Sequence, residues 1–165
     1  MLNVIRSRRS VAMLIVIALI ASTTVAPASM QTPTDIAVIA HPDVPIADLS
    51  RADLRRMLLG DREFWAPGLR VTLFIRAPIA RERDVAVQDI CEMTEAQFRQ
   101  HWIAKVFRAD TAVAPKIVYS SEMAADLVNR MAGAITFIDA AQVGRGMRVV
   151  KIDGRMPGDK GYTLH

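Results

Sequence analysis

Apolar and polar positions along this chain switch between two periods, and the switches mark the elements. Asp35 to Ala40 (DIAVIA) is a short apolar run rich in β-branched residues, which predicts a buried strand. The segment His41-Pro42-Asp43-Val44-Pro45 follows, and its two prolines cannot continue a strand. From Ser50 the period lengthens to that of a helix. Leu54, Met57 and Leu58 fall on one face, while Arg51, Arg55 and Arg56 point elsewhere. Ser50 is the predicted N-cap, with Asp53 at the third helical position as a variant capping box and Leu49 and Leu54 as the hydrophobic staple. Gly60 predicts the stop. Asp61 to Gly68 reads as a turn carrying Phe64 and Trp65, and Arg70 to Arg76 (RVTLFIR) as a second strand.

The second half repeats this alternation. Ala80 to Cys91 has a helical pattern, with Val85, Ile90 and Cys91 inward. Thr94-Glu95-Ala96-Gln97 is a full capping box with Met93 and Phe98 as its staple. It opens a helix to about Phe107 whose apolar stripe is Phe98, Trp102, Ile103, Val106 and Phe107. Ala109 to Pro115 is a loop and Lys116 to Tyr119 a strand. Ser120 and Ser121 cap a helix to about Met131, with Met123, Leu127 and Met131 inward and Gly133 ending it. Ala134 to Ile138 is a strand, Asp139 to Val143 a helical turn, Met147 to Ile152 the last strand. Gly154 to His165 is a tail that packs at most through Tyr162 and Leu164. Strands alternating with helices predict an α/β domain with a mixed, mostly parallel sheet flanked by helices. In such sheets ligands sit beyond the carboxyl ends of strands, near helix N-termini. Five short strands would leave a free sheet edge, which would allow dimerisation.

The first residues change the picture of where this domain works. Arg6, Arg8 and Arg9 precede the apolar run Val11 to Ala21, and Ala26-Pro27-Ala28 supplies small residues at the positions a signal peptidase reads. Residues 1–28 are expected to be a signal peptide cleaved after Ala28, leaving 29–165 as one domain in the periplasm or outside the cell; an uncleaved anchor is the alternative. The run is shorter than the roughly 20 residues a bilayer span needs. Ser7-Arg8-Arg9 also permits a twin-arginine reading, although Val11-Ala12-Met13 lacks that signal's usual flank, so the general secretion route is expected. Three of the 21 basic residues and none of the 17 acidic ones fall before Ser29, so the remainder is close to neutral. The high isoelectric point of the whole sequence is then no evidence for nucleic acid, and no basic patch interleaves with aromatics. A single cysteine, Cys91, forbids an internal disulfide.

Four stretches together resemble the phosphate-binding proteins of ABC transporters, within the type II periplasmic-binding-protein-like superfamily, and in particular a half-size branch of it. Leu49-Ser50 through Gly60 to Trp65 is similar to the family's capped helix, Leu-Gly stop and following Trp. Met93-Thr94 through Trp102 and Val106-Phe107 is similar to the half-size branch's second helix. Gly133-Ala134-Ile135-Thr136-Phe137-Ile138 is similar to the family's Gly-Ala-Ile-Gly-Tyr-Val strand, and Pro157-Gly158-Asp159-Lys160-Gly161-Tyr162-Thr163-Leu164 to its C-terminal tail. The resemblance implies a shortened domain of that fold and a non-enzymatic, exported protein. Its ligand would be phosphate or a similar small oxyanion, and its partner an inner-membrane permease or sensor. Arg76 stands where the family's ligand arginine stands. The family follows it with Asp-Gly-Ser-Gly-Thr; here Ala77, Pro78, Ile79, Ala80 and Arg81 follow, with neither glycine nor hydroxyl. The family's other anion segment, near the mature N-terminus, has no room ahead of the first strand. Loss of the anion site with retention of the fold, as an interaction or sensor accessory module, is therefore the alternative function.

The candidate ligand-binding residues are Arg76, as a fork-shaped charged donor, and Ser120 and Ser121, at a strand-to-helix junction where free amides point outward. For the serines the plain alternative is ordinary N-capping, and for Arg76 a salt bridge at a strand end. Arg81 and Arg83 could replace the lost loop with charge, or share a solvated helix face with Glu82 and Asp84. His41, His101 and His165 have no metal-ligand spacing. Cys91 reads as a core thiol rather than as a nucleophile for His101, and no catalytic constellation or cofactor motif is present in the sequence. Trp65 and Trp102 read as core or turn anchors before they read as pocket walls.

Overall fold

A computed structural model describes residues 34–110 and 113–165. The predicted signal segment lies outside the described residues. Among the described residues no helix is long and apolar enough to cross a membrane.

The chain runs β1 (Ile36–Ala40), β2 (Asp48–Leu49), α1 (Arg51–Leu58), β3 (Phe64–Ala66), β4 (Leu69–Arg70), β5 (Thr72–Arg76), α2 (Arg81–Asp84), a π-helical segment (Val85–Ile90), α3 (Glu95–Phe107), β6 (Lys116–Val118), α4 (Ser121–Arg130), β7 (Ala134–Asp139), a 3-10 turn (Ala140–Gln142) and β8 (Arg148–Ile152). Six strands form one sheet in the order β2-β8-β1-β7-β5-β6. Strand β1 runs antiparallel to both β7 and β8, whereas β2–β8, β5–β7 and β5–β6 are parallel. Parallel adjacencies are thus the majority, as expected, and the expected five strands become six because Asp48 and Leu49 pair beside β8.

All five residues of β1 are buried, which is why the run is apolar at every position instead of alternating. Its side chains feed two cores. Ile36, Val38 and Ala40 join Leu73, Ile75, Ile135 and Phe137 on the face covered by α1, the π segment and α3. Ala37 and Ile39 join Phe74, Val118, Ala134 and Ile138 on the face covered by α4. On α4 one predicted inward residue is corrected. Leu127 and Met131 pack against this core, but Met123 is exposed, and Ala124, Ala125 and Val128 are buried. Small side chains are what allow this helix to lie close on the sheet, and a reading that ranks residues by hydrophobicity selects the larger methionine.

Helix α1 starts as predicted. The Ser50 hydroxyl accepts from the Asp53 amide at 3.0 Å, and Leu49 and Leu54 are both buried. Asp53 does not reach back to the Ser50 backbone. It accepts from the Ser50 hydroxyl (2.8 Å), from Arg56 and from Arg62 (3.1 Å); the hydrogen bonds from Arg56 and Ser50 hold its carboxyl below the ordinary range. The predicted turn after Gly60 is a β3–β4 hairpin. Trp65 is buried there and donates its indole N–H to the Gly133 carbonyl at 2.8 Å.

The C-terminal end of α1 determines how α3 sits. Its last carbonyls have no partner within the helix. Trp102 donates to the Leu58 carbonyl (3.2 Å) and Lys105 to that of Leu59 (3.0 Å), and His101 Nε2 lies 2.9 Å from the same Leu59 oxygen. The buried face of α3 is therefore Phe98, Trp102 and Lys105. The predicted stripe is corrected on this point: Ile103, Val106 and Phe107 face outward. A pattern of apolar residues could not reveal a lysine drawn inward as a donor. The tail is anchored through the two predicted residues. The Tyr162 hydroxyl donates to the Ile36 carbonyl at 2.7 Å, and the Ile36 amide donates to the Leu164 carbonyl at 2.9 Å.

Candidate functional site

Alternation along β5 sends Leu73 and Ile75 to the α3 face and Phe74 and Arg76 to the α4 face. Arg76 is the last residue of β5, at its carboxyl end, beside the start of α4. Its Nε lies 3.6 Å from Glu82 Oε1, and the buried Ser121 hydroxyl donates to that same carboxylate oxygen at 3.1 Å. The fold thus brings Arg76 and Ser121 to one corner, with Glu82 between them. Ser120 is occupied otherwise: its hydroxyl accepts from the Met123 amide at 3.0 Å as the N-cap of α4. Glu82 is the residue that sequence reasoning assigned to a solvated face. It is buried, as is Arg83. The available signal was its place in the first turn of a helix six residues after Arg76, with opposite charge.

Among the described residues, three buried side-chain polar atoms lack a hydrogen-bond partner: Arg76 Nε, Arg76 Nη1 and Thr136 Oγ1. Thr136 lies between Ala134 and Ile138 on β7, so its side chain is on the same α4 face of the sheet as Arg76. Two buried guanidinium nitrogens without a hydrogen bond are costly, at about 1–3 kcal/mol each, unless an acceptor meets them. Negative charge is already close. Beside Glu82, Glu122 is held below its ordinary value by its own backbone amide, by the Ser120 hydroxyl and by the Arg76 charge.

The loop after Arg76 is closed on itself. Ala80 donates to the Ala77 carbonyl (3.3 Å), Pro78 and Ile79 occupy the two central positions, and Ile79 has φ 79°. This is a type II turn with a β-branched residue where glycine is favoured. The Ala77 amide is spent on Val118, and the Arg76 carbonyl accepts from Arg83 Nη1 at 2.9 Å. Arg83 is no solvated charge. It grips Glu95 with two hydrogen bonds of 2.8 and 2.7 Å and lies 5.8 Å from the Phe98 ring, tying α2 to α3. Arg81 reaches the Thr34 carbonyl and lies 3.7 Å from Asp139. Neither arginine extends the Arg76 corner.

The Arg83 hydrogen bonds hold the Glu95 carboxyl below its ordinary 4.5. Burial alone would raise Asp35, but the Gly158 amide, His165 and Arg81 outweigh it and hold that carboxyl below 3.8. A carboxylate whose folded pKa is depressed contributes stability above its ordinary value and loses it as pH falls through the folded value. Stability is therefore expected to fall from about pH 4.5 downward. Glu95→Gln should lower the melting temperature at pH 7 and lose that deficit progressively as pH falls below 4.5. A deficit that persists unchanged at pH 3 in thermal melts would show that the Arg83–Glu95 charge pair is not its source.

The remaining candidates are dispersed. His41 accepts from the Asp43 amide, His101 meets the Leu59 carbonyl and His165 meets Asp35. Among the described residues no group of three His, Cys, Asp or Glu is placed to hold a metal ion. Cys91 is fully buried, and burial pushes its thiol up to about 12, so it stays protonated. A concavity of about 580 Å³ lies on the other side of β5. It is an apolar groove between α3 and β6, and Arg76, Ser120 and Ser121 do not line it.

No protein-family profile and no curated protein sequence matches this chain. Solved structures do. A phosphate ABC transporter substrate-binding protein from Clostridium perfringens, solved with bound phosphate, superposes with a TM-score of 0.60 at 21% identity, over 75% of this chain and 47% of that one. An ABC-type phosphate transport receptor from Vibrio cholerae gives 0.60 at 19% identity, over 75% and 48%. PstS from Borrelia burgdorferi gives 0.57 at 17% identity, over 75% and 49%. The chain thus has the periplasmic-binding-protein fold, and it spans about half the length of the phosphate transporter proteins to which it is similar.

Proposed function

We propose that this protein is an exported, non-enzymatic solute-binding protein that captures phosphate or a similar small oxyanion at the Arg76 corner and presents it to a membrane permease. The observation that carries this reading is the pair of buried nitrogens on Arg76 that make no hydrogen bond, although Glu82 lies within ion-pair distance of one of them. They sit at the carboxyl end of a parallel strand beside a helix start, the position where α/β sheets take ligands. Solved structures of the same fold include one holding phosphate, which supports the ligand class. The Ser121 hydroxyl would add a donor by turning from Glu82 to the ligand.

Glu82 gives the reading its chemistry. A carboxylate beside the guanidinium repels an oxyanion that has lost all its protons, and it accepts a hydrogen bond from one that keeps a proton. Phosphate keeps one at neutral pH and sulfate does not. Calorimetry on protein expressed from the full sequence, with phosphate, sulfate and methylphosphonate, tests both points. Phosphate is expected to bind at micromolar concentration, with sulfate weaker. Arg76→Ala in a Glu82→Gln background, which leaves no buried charge alone, should bind phosphate about 30-fold more weakly than Glu82→Gln itself. No heat with any of the three, from protein that melts cooperatively, would overturn the proposal.

A further inference from the structure

We infer that Arg83 is the positioning residue for Arg76, holding the end of β5 in the orientation that aims the Arg76 side chain. The inference rests on the oxyanion reading of the Arg76 corner. One peptide unit, from Arg76 to Ala77, is held at both of its polar groups. The Arg76 carbonyl accepts from Arg83 Nη1 at 2.9 Å, and the Ala77 amide donates to the Val118 carbonyl at 2.9 Å. Strand β6 pairs with β5 at Phe74, Ile75 and Arg76, whereas β7 pairs with it at Thr72 and Leu73. At Arg76 the sheet therefore supports β5 from one side, and Arg83 supplies the bond on the other. The turn that follows is a poor support. Ile79 sits there at φ 79°, a strained value for a β-branched residue.

A strand side chain leaves the backbone in a direction set by the two peptides that flank it. For Arg76 that direction matters, because Nε and Nη1 make no hydrogen bond that would aim the guanidinium, and Glu82 stands 3.6 Å from Nε. Arg83, by contrast, is fixed at every nitrogen. It is 6% exposed, its Nε and Nη2 donate to Glu95 at 2.8 and 2.7 Å, and its guanidinium lies 5.8 Å from the Phe98 ring. Two nitrogens thus grip α3 while the third holds β5, a division of labour that suits a planar fork. Phe98 belongs to the core on the α3 face, whereas the Arg76 side chain is on the α4 face. Arg83 therefore acts on the corner from the opposite face, through the backbone, without touching the ligand.

The test takes protein expressed from the full sequence through two measurements, amide hydrogen exchange without ligand and calorimetry with phosphate. Arg83→Met keeps a long side chain and leaves Glu95 in contact with water, since that side chain is 40% exposed. The Ala77 amide should lose protection by at least about 10-fold relative to the amides of β1, which report opening of the whole domain. Phosphate should bind about 3- to 10-fold more weakly, the effect of one guanidinium no longer held in advance. Gly68→Ala, in the hairpin, should lower the melting temperature and leave phosphate affinity unchanged. If Ala77 loses no more protection than β1 does in Arg83→Met, Arg83 does not hold that peptide and the inference falls. If Arg83→Met binds phosphate as tightly as wild type, Arg83 only ties α2 to α3; the inference falls and the oxyanion reading stands. Equal weakening in Gly68→Ala also overturns it, because affinity then follows stability. A wild-type protein that binds no oxyanion overturns the oxyanion reading, and this inference with it.

Discussion

Gly133→Ala is expected to cost about 3–5 kcal/mol, the largest loss of any single methyl added to this chain. Two effects combine. Gly133 has φ +73°, a region where an added Cβ is strained by about 1 kcal/mol. That Cβ would also lie 2.1 Å from the Arg70 carbonyl oxygen, a backbone atom that cannot swing aside. The neighbourhood has little freedom to relax. The Gly133 carbonyl accepts both the Thr72 amide (2.9 Å) and the Trp65 indole (2.8 Å), so one peptide joins β5, β7 and the hairpin. Gly68→Ala separates the two effects. Gly68 has φ +81°, and nothing stands within 4 Å of the place an added Cβ would take, so it should show the strain alone, about 1 kcal/mol. Urea denaturation of the two variants and the wild type gives the difference directly. Equal losses would mean that the backbone at Arg70 yields and the close approach is not rigid.

Leu164→Ala is the second, at about 2–4 kcal/mol. Leu164 lies in the tail after β8, and segments outside the regular elements often fray without cost. This one does not lie on the surface. Leu164 is completely buried in the core that contains Ile36, and its carbonyl takes the Ile36 amide. Tyr162 is held beside it, with its hydroxyl donating to the Ile36 carbonyl and its phenol pKa raised by burial. Tyr162→Phe removes only that hydrogen bond and should cost about 1 kcal/mol. If Leu164→Ala is no worse than Tyr162→Phe in urea, the tail opens before the core does and contributes little to global stability.

How much of this was legible in the sequence depends on which forces left a mark there. The Ser50 and Thr94 caps, the stops at Gly60 and Gly133 and the apolar run of β1 reflect local backbone needs, and all stand where the sequence indicates. What escaped was decided across the fold. The hidden face of α3 follows from carbonyls on α1 that need donors, so Lys105 is buried and Phe107 is not. The π segment inside Ala80 to Cys91 leaves no signature that separates it from an ordinary helix. At the candidate site, Arg76 and Ser121 were readable as a strand end and a helix start. Glu82 was not, because its burial depends on α2 folding back across the end of β5.

The place of β1 in the sheet has a consequence in time. Its neighbours β7 and β8 are both antiparallel to it and are made about a hundred residues later, so no local hairpin can hold it. The first strand among the described residues is therefore expected among the last to be seated. Until then this apolar segment has no partner, which leaves it open to capture by holding chaperones. Destabilising β1, for instance with Val38→Ala, should therefore speed unfolding and leave the folding rate nearly unchanged.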